Sequence, residues 1–155
     1  MIIGSVLGVD EVEVPLLGGG STHSATPSGD WRNGNERSMS LQLGNVCFDC
    51  DQPEAVAAFW SEALGLAIDD GASPGFCSLS ATPPGSGPNW FFAQVPEGKT
   101  SKNRVHVDLV ADDAAAEVQR LVGLGATVVA TKDEWGHSWT VLADVEGNEF
   151  CVSRG

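Results

Sequence analysis

The feature that most constrains the fold is an internal repeat of about 60 residues, because both halves of the chain follow one order of elements. Residues 46–49, Val-Cys-Phe-Asp, match residues 105–108, Val-His-Val-Asp, and the Leu-Gly pair at 64–65 matches the pair at 124–125. Each copy predicts a strand with one polar face, then a helix, then three further strands. The chain is therefore predicted to have an α+β fold, in which two βαβββ modules form a curved mixed sheet around a cavity.

The first module, predicted at about 41–95, opens with a strand in which polar and apolar side chains alternate. Asn45, Cys47 and Asp49 would share its polar face. The run Asp51-Gln-Pro-Glu then predicts a helix with Asp51 as its cap, and Gly65 ends it. Three short strands are predicted at 66–68, 76–80 and 89–95. The buried stripe of the helix is predicted to contain Val56, Phe59, Trp60, Ala63 and Leu64.

The second module, predicted at about 103–155, opens with a strand over 103–109. Period-two alternation places Arg104, His106 and Asp108 on one face of that strand, and it places Val105, Val107 and Leu109 on the core face. A helix capped by Asp112 and closed by Gly125 follows, with strands at 127–131, 137–143 and 149–153. The buried stripe of this helix is predicted to contain Ala114, Val118, Leu121 and Val122.

Residues 1–38 differ from the rest of the chain, because they are rich in Gly, Ser, Thr and Asn and show no helical periodicity. We expect a flexible extension there, with a strand only at 2–14 and with a solvated His23. Residues 39–155 are predicted to form one domain.

Charge and composition exclude several partners. A net charge of −13 argues against nucleic acid and anionic membrane surfaces, since both need clustered positive charge. No stretch approaches the roughly 20 apolar residues of a membrane span, and the N-terminus lacks the basic start of a signal peptide. A cytoplasmic protein with reduced, buried cysteines at 47, 50, 77 and 151 is predicted.

The polar face of the strand at 103–109 is the strongest candidate for a site. Asp108 could orient His106 as a general acid or base, and the basic side chains of Lys102 and Arg104 could meet an anionic group. A solvated sheet face or loop is the competing interpretation. On other strands Trp90, Phe92 and Gln94 share one face, as do His137 and Trp139; core packing is the commoner fate of such aromatic residues. Together they predict a site for a small organic ligand, anionic or aromatic.

Three stretches carry a resemblance to a known family. They are 49–60, which opens Asp-Cys-Asp-Gln-Pro-Glu and closes Phe-Trp; 96–108, which closes Lys-Thr-Ser-Lys-Asn-Arg-Val-His-Val-Asp; and 136–152, Gly-His-Ser-Trp-Thr-Val-Leu-Ala-Asp-Val-Glu-Gly-Asn-Glu-Phe-Cys-Val. Over residues 41–155 the chain resembles the vicinal-oxygen-chelate superfamily, and within it the glyoxalase-like, bleomycin-resistance and dioxygenase type. The resemblance implies the predicted fold, and it implies a homodimer, since such proteins often pair modules across two chains.

The resemblance also implies which positions would hold a metal. Metal-dependent members bind a divalent ion through His, Gln and Glu side chains on four strands. Here His106 occupies one such position, Asn45 or Cys47 falls on the second, and Phe92 or Gln94 on the third. The final glutamate is replaced by Cys151, while Glu149 lies two residues earlier on the same face. A thiol is a softer ligand than a carboxylate. No glyoxalase-type metal site and no cofactor are therefore predicted, and the alternative is a zinc site of His106, Glu149 and Cys151.

Two function classes follow. In the first, the protein is a metal-free binder of a small organic molecule. In the second, it is a metal-dependent lyase, isomerase or dioxygenase acting on a substrate with vicinal oxygens. The ligand positions favour the first, and the sequence leaves open whether the protein is an enzyme.

Overall fold

A computed structural model of the protein describes residues 41–155, and the predictions for 1–38, including His23 and the strand at 2–14, lie outside the described residues. The first module contains β1 (Asn45–Cys50), α1 (Pro53–Leu64), β2 (Phe76–Leu79) and β3 (Asn89–Gln94). The second contains β4 (Val107–Ala111), α2 (Ala114–Gly123), β5 (Thr127–Glu134), β6 (His137–Ala143) and β7 (Glu149–Arg154). The order of elements confirms the two-module α+β fold.

The strands form two mixed sheets with the same topology. The first sheet has the order β1-β3-β2 and the second the order β4-β7-β6-β5. In each module the first and last strands pair in parallel, and the remaining pairs are antiparallel. The strand predicted at 66–68 is reduced to one bridge between Ile68 and Leu79, because the turn-forming run Asp-Asp-Gly-Ala-Ser-Pro-Gly begins directly after it. The repeat is therefore complete only in the second module.

Both helices form where the sequence predicts them, but their caps differ from the prediction. Helix α1 buries Val56, Phe59 and Trp60 and ends at Gly65, whose φ of 68° favours glycine. Its N-cap is Gln52, not Asp51, and no side chain of the cap bonds to the helix. Helix α2 is capped by Asp113 rather than Asp112. The Asp113 carboxylate accepts a hydrogen bond of 3.0 Å from the amide of Ala116.

Each sheet has one face on the hydrophobic core and one open face. On β1 the even-numbered side chains Phe48 and Cys50 are buried, whereas Cys47 is exposed. The prediction that all four cysteines are buried is therefore wrong for Cys47. The core joins both modules through aromatic contacts of Trp60, whose ring lies 5.0 Å from that of Trp90 and 4.9 Å from that of Phe150.

Strand β4 is shorter than predicted. It begins at Val107, opposite Phe150 of β7, and because β7 itself begins at Glu149, residues 103–105 have no strand to pair with. Val105, predicted on the core face, is 79% exposed, and Arg104 lies in the loop that precedes the strand. Neither helix in the described part of the chain has the length and apolar character needed to cross a bilayer.

Candidate functional site

An open groove of about 740 Å³ lies along the open face of the second sheet. Strand pairing builds it, since Asp108 on β4 lies opposite Cys151 on β7, and Trp139 on β6 lies opposite Ser153 on β7. All four side chains therefore point to the same side of the sheet. Of the residues predicted for the site, the groove contains His106, Asp108, His137, Trp139 and Cys151.

A cluster of charged and titratable side chains forms around His106, just before β4. The Lys102 ammonium donates to Glu149 Oε2 at 2.8 Å and lies 3.0 Å from His106 Nε2, which is 3.3 Å from the same carboxylate oxygen. An ammonium group has donors only, so the contact with Lys102 is a hydrogen bond in the tautomer whose Nε2 accepts and whose Nδ1 carries the proton. The hydrogen bond from Lys102 is the largest cause that lowers the pKa of Glu149.

Cys151 continues this hydrogen-bonded cluster into the groove. Its Sγ lies 3.6 Å from His106 Nδ1, within the distance of a hydrogen bond to sulfur. Burial, and next to it the hydrogen bond to Asp108, raise the pKa of Cys151 to about 11. The side chain is therefore a protonated thiol at neutral pH, a weak nucleophile and a poor metal ligand.

A pair of tryptophans forms one end of the groove. The rings of Trp135 and Trp139 lie 6.4 Å apart with an interplanar angle of 18°. Trp135 and Gly136 form the two-residue turn between β5 and β6 with φ of 54° and 79°, since Glu134 pairs directly with His137. Both positive φ values match the type I′ turns that fit the twist of a hairpin. Trp135 is 86% exposed, so the fold leaves an aromatic surface open to a ligand.

Sequence reasoning missed half of the groove. Ser153 lies on the same face of β7 as Glu149 and Cys151, because side chains two residues apart on a strand share a face. That spacing could have predicted it. Trp135 could have been found from its place beside a glycine in a short turn, where a tryptophan cannot be buried by its own strand. For Ser138 and Arg154, which face the groove near the strand ends, we see no such signal.

Other predicted residues lie elsewhere. Trp90 and Phe92 are buried in the core against α1, so they do not line an open surface. Gln94 donates to the backbone oxygen of Asp51 at 3.0 Å, and Asn45 accepts from Asn89 at 3.2 Å. Lys102 and Glu149 lie beside the groove through their contacts with His106, whereas Arg104 is exposed in the loop.

The open face of β3 is the opposite one from that predicted, which had Trp90, Phe92 and Gln94 facing the site. Cys47 on β1 lies opposite Phe91, not Trp90 or Phe92. Phe91 in turn makes an edge contact with Phe76 on β2, with ring centroids 5.4 Å apart. Phe91 is therefore the aromatic side chain beside Cys47, with Phe76 next to it, and the partial exposure of both distinguishes them from the core pair Trp90 and Phe92.

The residues present do not fit a glyoxalase-type metal centre. His106, Glu149 and Cys151 do come together, but the Lys102 ammonium lies between the first two, and the raised pKa of Cys151 keeps its proton in place. Across residues 41–155, no three His, Cys, Asp or Glu side chains are arranged to hold a metal ion. We therefore assign no chemical step to a metal.

Comparison with known proteins identifies the family. A family model described as a glyoxalase-like domain matches residues 45–153. Similar solved structures include a glyoxalase/bleomycin resistance protein/dioxygenase family enzyme from Burkholderia phytofirmans PsJN, with 20% identity, a TM-score of 0.59, and coverage of 74% of this chain and 98% of that one. A lactoylglutathione lyase from Agrobacterium tumefaciens has 15% identity, a TM-score of 0.54, and coverage of 74% and 93%. A bleomycin-binding protein complexed with bleomycin has 18% identity, a TM-score of 0.53, and coverage of 74% and 99%. Among curated proteins, none matches. At these identities the structures share the fold alone with this chain.

Proposed function

Because the chain belongs to the glyoxalase-like domain family of the vicinal-oxygen-chelate superfamily, we propose that it binds a small organic molecule in the groove of its second sheet, without a glyoxalase-type metal. The observation that carries this proposal is the pairing of an open aromatic surface, Trp135 and Trp139, with a polar cluster around His106 in one groove. An aromatic surface favours a planar ligand, and the polar cluster favours an oxygen-bearing group.

The polar end of the groove defines which ligands to test first. His106 and Asp108 face the groove, and the exposed Lys102 ammonium lies 3.0 Å from His106. A carboxylate or phenolate on a flat ring would place its charge near Lys102 and its ring against Trp139. The bleomycin-binding protein of similar fold supports the general class, since it is complexed with an organic molecule, bleomycin.

The test is a screen of planar aromatic acids and phenols by quenching of tryptophan fluorescence, followed by calorimetry. For a ligand found in this way, His106→Ala should leave the fold intact and weaken binding by about tenfold, as expected for a lost polar contact of roughly 1.4 kcal/mol. Val110→Ala is the matched control, because Val110 lies on β4, which begins directly after His106, but is not among the residues that line the groove. Unchanged affinity in His106→Ala would remove His106 from the site.

A second candidate function is a lyase, isomerase or dioxygenase. The observation that favours it is the hydrogen-bonded series Lys102, His106, Cys151 and Asp108, along which a proton could move between groups that face the groove. Metal analysis of protein purified without a chelator or a histidine tag tests this candidate. Near-stoichiometric metal that is lost in His106→Ala would favour the enzyme over the binder.

Two further properties belong to this proposal. We propose a homodimer, because both sheets in the described part of the chain leave one face open, and a second copy would cover it. We also propose a cytoplasmic location, on the absence of disulfide bonds among the four cysteines.

A further inference from the structure

Lys102 lies in an unusual place for a loop lysine. Its ammonium contacts Glu149 Oε2 at 2.8 Å and His106 Nε2 at 3.0 Å, so it lies between the two side chains that come closest to a pair of metal ligands. We propose that Lys102 is the resident cation of this site, and that its ammonium closes the His106–Glu149 pair to divalent metal ions.

The separation of the two ligand atoms supports this proposal. His106 Nε2 and Glu149 Oε2 lie 3.3 Å apart. Two ligand atoms bound to one tetrahedral zinc ion at roughly 2.1 Å would lie about 3.4 Å apart. The pair therefore already has the spacing that a metal requires, but the Lys102 ammonium lies within 3.0 Å of both ligand atoms and is hydrogen-bonded to them.

Charge explains why the ammonium would hold that position. The side chain of Glu149 is only 16% exposed, and a carboxylate with so little access to water needs a positive partner nearby. Lys102 supplies this positive partner. Because it is part of the same chain, its effective concentration at Glu149 exceeds the concentration of a free metal ion in the cell. A divalent ion would have to displace it and leave the ammonium beside a second cation, which costs free energy.

The ammonium and a metal ion would also treat a ligand differently. Among residues 41–155, Lys102 gives hydrogen bonds to Glu149 and His106 only, so one N–H remains for an oxygen atom of a ligand. That N–H can bind one oxyanion, but it cannot coordinate two neighbouring oxygens as an open metal site does. This consequence rests on the proposed function, whereas the exclusion of metal does not.

The test compares metal binding in the full chain and in three variants, all without a histidine tag and freed of metal beforehand. Lys102→Met keeps the length of the side chain but removes its charge and its donors. Lys99→Met is the matched control, because Lys99 belongs to the same loop and its ammonium bonds to the backbone oxygen of Ser101 instead. The double variant with Lys102→Met and His106→Ala tests whether any new metal binds at the pair.

Calorimetry with Zn²⁺ and absorption spectra with Co²⁺ give the readout. We expect Lys102→Met to bind one ion at least tenfold more tightly than the unmodified chain and Lys99→Met, and we expect the double variant to lose that gain. A charge-transfer band of Co²⁺ in the near ultraviolet would indicate that the Cys151 thiolate joins the ligands.

Two results would overturn the proposal. One is a metal affinity of the unmodified chain that equals that of Lys102→Met, because the ammonium would then yield to the ion. The other is a Lys102→Met variant that binds metal no better than the control. Lys102 is 65% exposed, so its replacement should not unfold the domain; Lys102→Gln, checked by circular dichroism, provides a second variant. A failed metal test would leave ligand binding in the groove unaffected, so the two proposals are separable.

Discussion

Cys151 is the residue whose chemistry differs most from what the family resemblance implies. The resemblance implies a glutamate at its position, whereas Cys151 is a buried thiol, and its pKa of about 11 lies above the 9.0 that is usual for a cysteine. Burial is the largest cause and Asp108 the next, both acting against the thiolate. For such a group the folded state holds the proton more tightly than the unfolded state. Its contribution to stability is therefore complete below pH 9.0 and is lost as the pH rises towards about 11.

Alkylation of the native protein by iodoacetamide tests the state of Cys151. Only the thiolate reacts, so the rate at Cys151 should increase about tenfold for each pH unit between pH 7 and pH 10. Asp108→Asn removes the second cause of the raised pKa and should increase the rate at pH 8, by less than tenfold because burial remains. Mass spectrometry of digested protein gives the rate at each cysteine separately.

Cys47 provides the comparison within the same molecule. It is exposed on the open face of the first sheet, so reagent reaches it directly, and Asp108→Asn should leave its rate unchanged. A reaction at Cys151 that is fast at pH 7, or a rate that does not depend on pH, would contradict the pKa assigned to it.

Helix α1 shows, at the scale of elements, how a distant turn can replace a local cap. The carboxylate of Glu146, in the turn between β6 and β7, accepts hydrogen bonds of 2.8 Å and 2.6 Å from the amides of Asp51 and Gln52. These amides precede the helix, where a negative charge also meets the positive end of the helix dipole. The contact joins the second module to the first.

We expect Glu146→Gln to lower the free energy of unfolding by about 1 kcal/mol, because an amide retains at most one of the two hydrogen bonds and none of the charge. Hydrogen exchange at the amides of Asp51 and Gln52 should become faster. Glu97→Gln is the matched control, since it removes the same charge from the same cleft. Equal stability of the two variants in urea denaturation would show that Glu146 does not cap the helix.

The turn between β5 and β6 combines two unfavourable features at Trp135. A non-glycine residue at a φ of 54° costs roughly 1 kcal/mol, and an exposed tryptophan gains little from burial. Such a cost at a groove suggests a role in binding. Trp135→Asn should therefore keep or raise the melting temperature, because asparagine tolerates this backbone, while it weakens binding of an aromatic ligand.

Trp135→Phe separates the two effects, because it keeps an aromatic ring and the unfavourable backbone. It should retain much of the affinity and gain no stability, and both quantities can be measured by calorimetry. A Trp135→Asn variant that binds the ligand as well as the unmodified chain would show that the tryptophan pair is not part of the site.

The elements also show what the sequence could predict. Both helices and strand β1 follow from local periodicity, and the predicted buried stripe of α1 is confirmed at Val56, Phe59 and Trp60. The predicted caps Asp51 and Asp112 were wrong. At α2 the next residue, Asp113, accepts the hydrogen bond of the helix amide. At α1 the acceptor for the Gln52 amide is Glu146, 94 residues further along the chain. Local signals cannot report such contacts, since they depend on how the modules pack.

Predicting the site required knowing which strands pair, as well as which side chains share one face of a strand. His106, Asp108 and Cys151 could be brought together from the repeat and from alternation, and the structure has all three at one groove. The position of Trp90 in the core could not be predicted, because the alternation of polar and apolar residues along a strand does not indicate which face of the strand a helix covers. The contact of Lys102 with Glu149, 47 residues apart, depends on the path of a loop and has no sequence signal.

At the scale of the whole domain, residues 41–155 form two modules that share one core and leave two open sheet faces. One face contains the groove, and the other contains Cys47, Phe91 and Phe76. The repeat predicted this architecture because a βαβββ unit has only one helix, which covers only one face of its sheet. A second copy of the chain that brought one open face against the other would enclose the groove, which is the physical basis for proposing a homodimer.

Charge sets how such a dimer should respond to salt. Each chain carries a net charge of −13 at pH 7, so two copies repel each other at low ionic strength. Salt screens this repulsion, with a Debye length near 10 Å at 0.1 M and about 3 Å at 1 M, while the burial of apolar side chains such as Phe91 does not weaken. We therefore expect the dissociation constant of the dimer to fall by about tenfold between 0.05 M and 0.5 M sodium chloride.

Sedimentation equilibrium at micromolar concentration, with 16.1 kDa as the mass of one chain, gives the constant at each salt concentration. A single species of one chain at every ionic strength would exclude the dimer, and a dimer that dissociates as salt is added would mean that ion pairs, not apolar sheet faces, hold the two copies together.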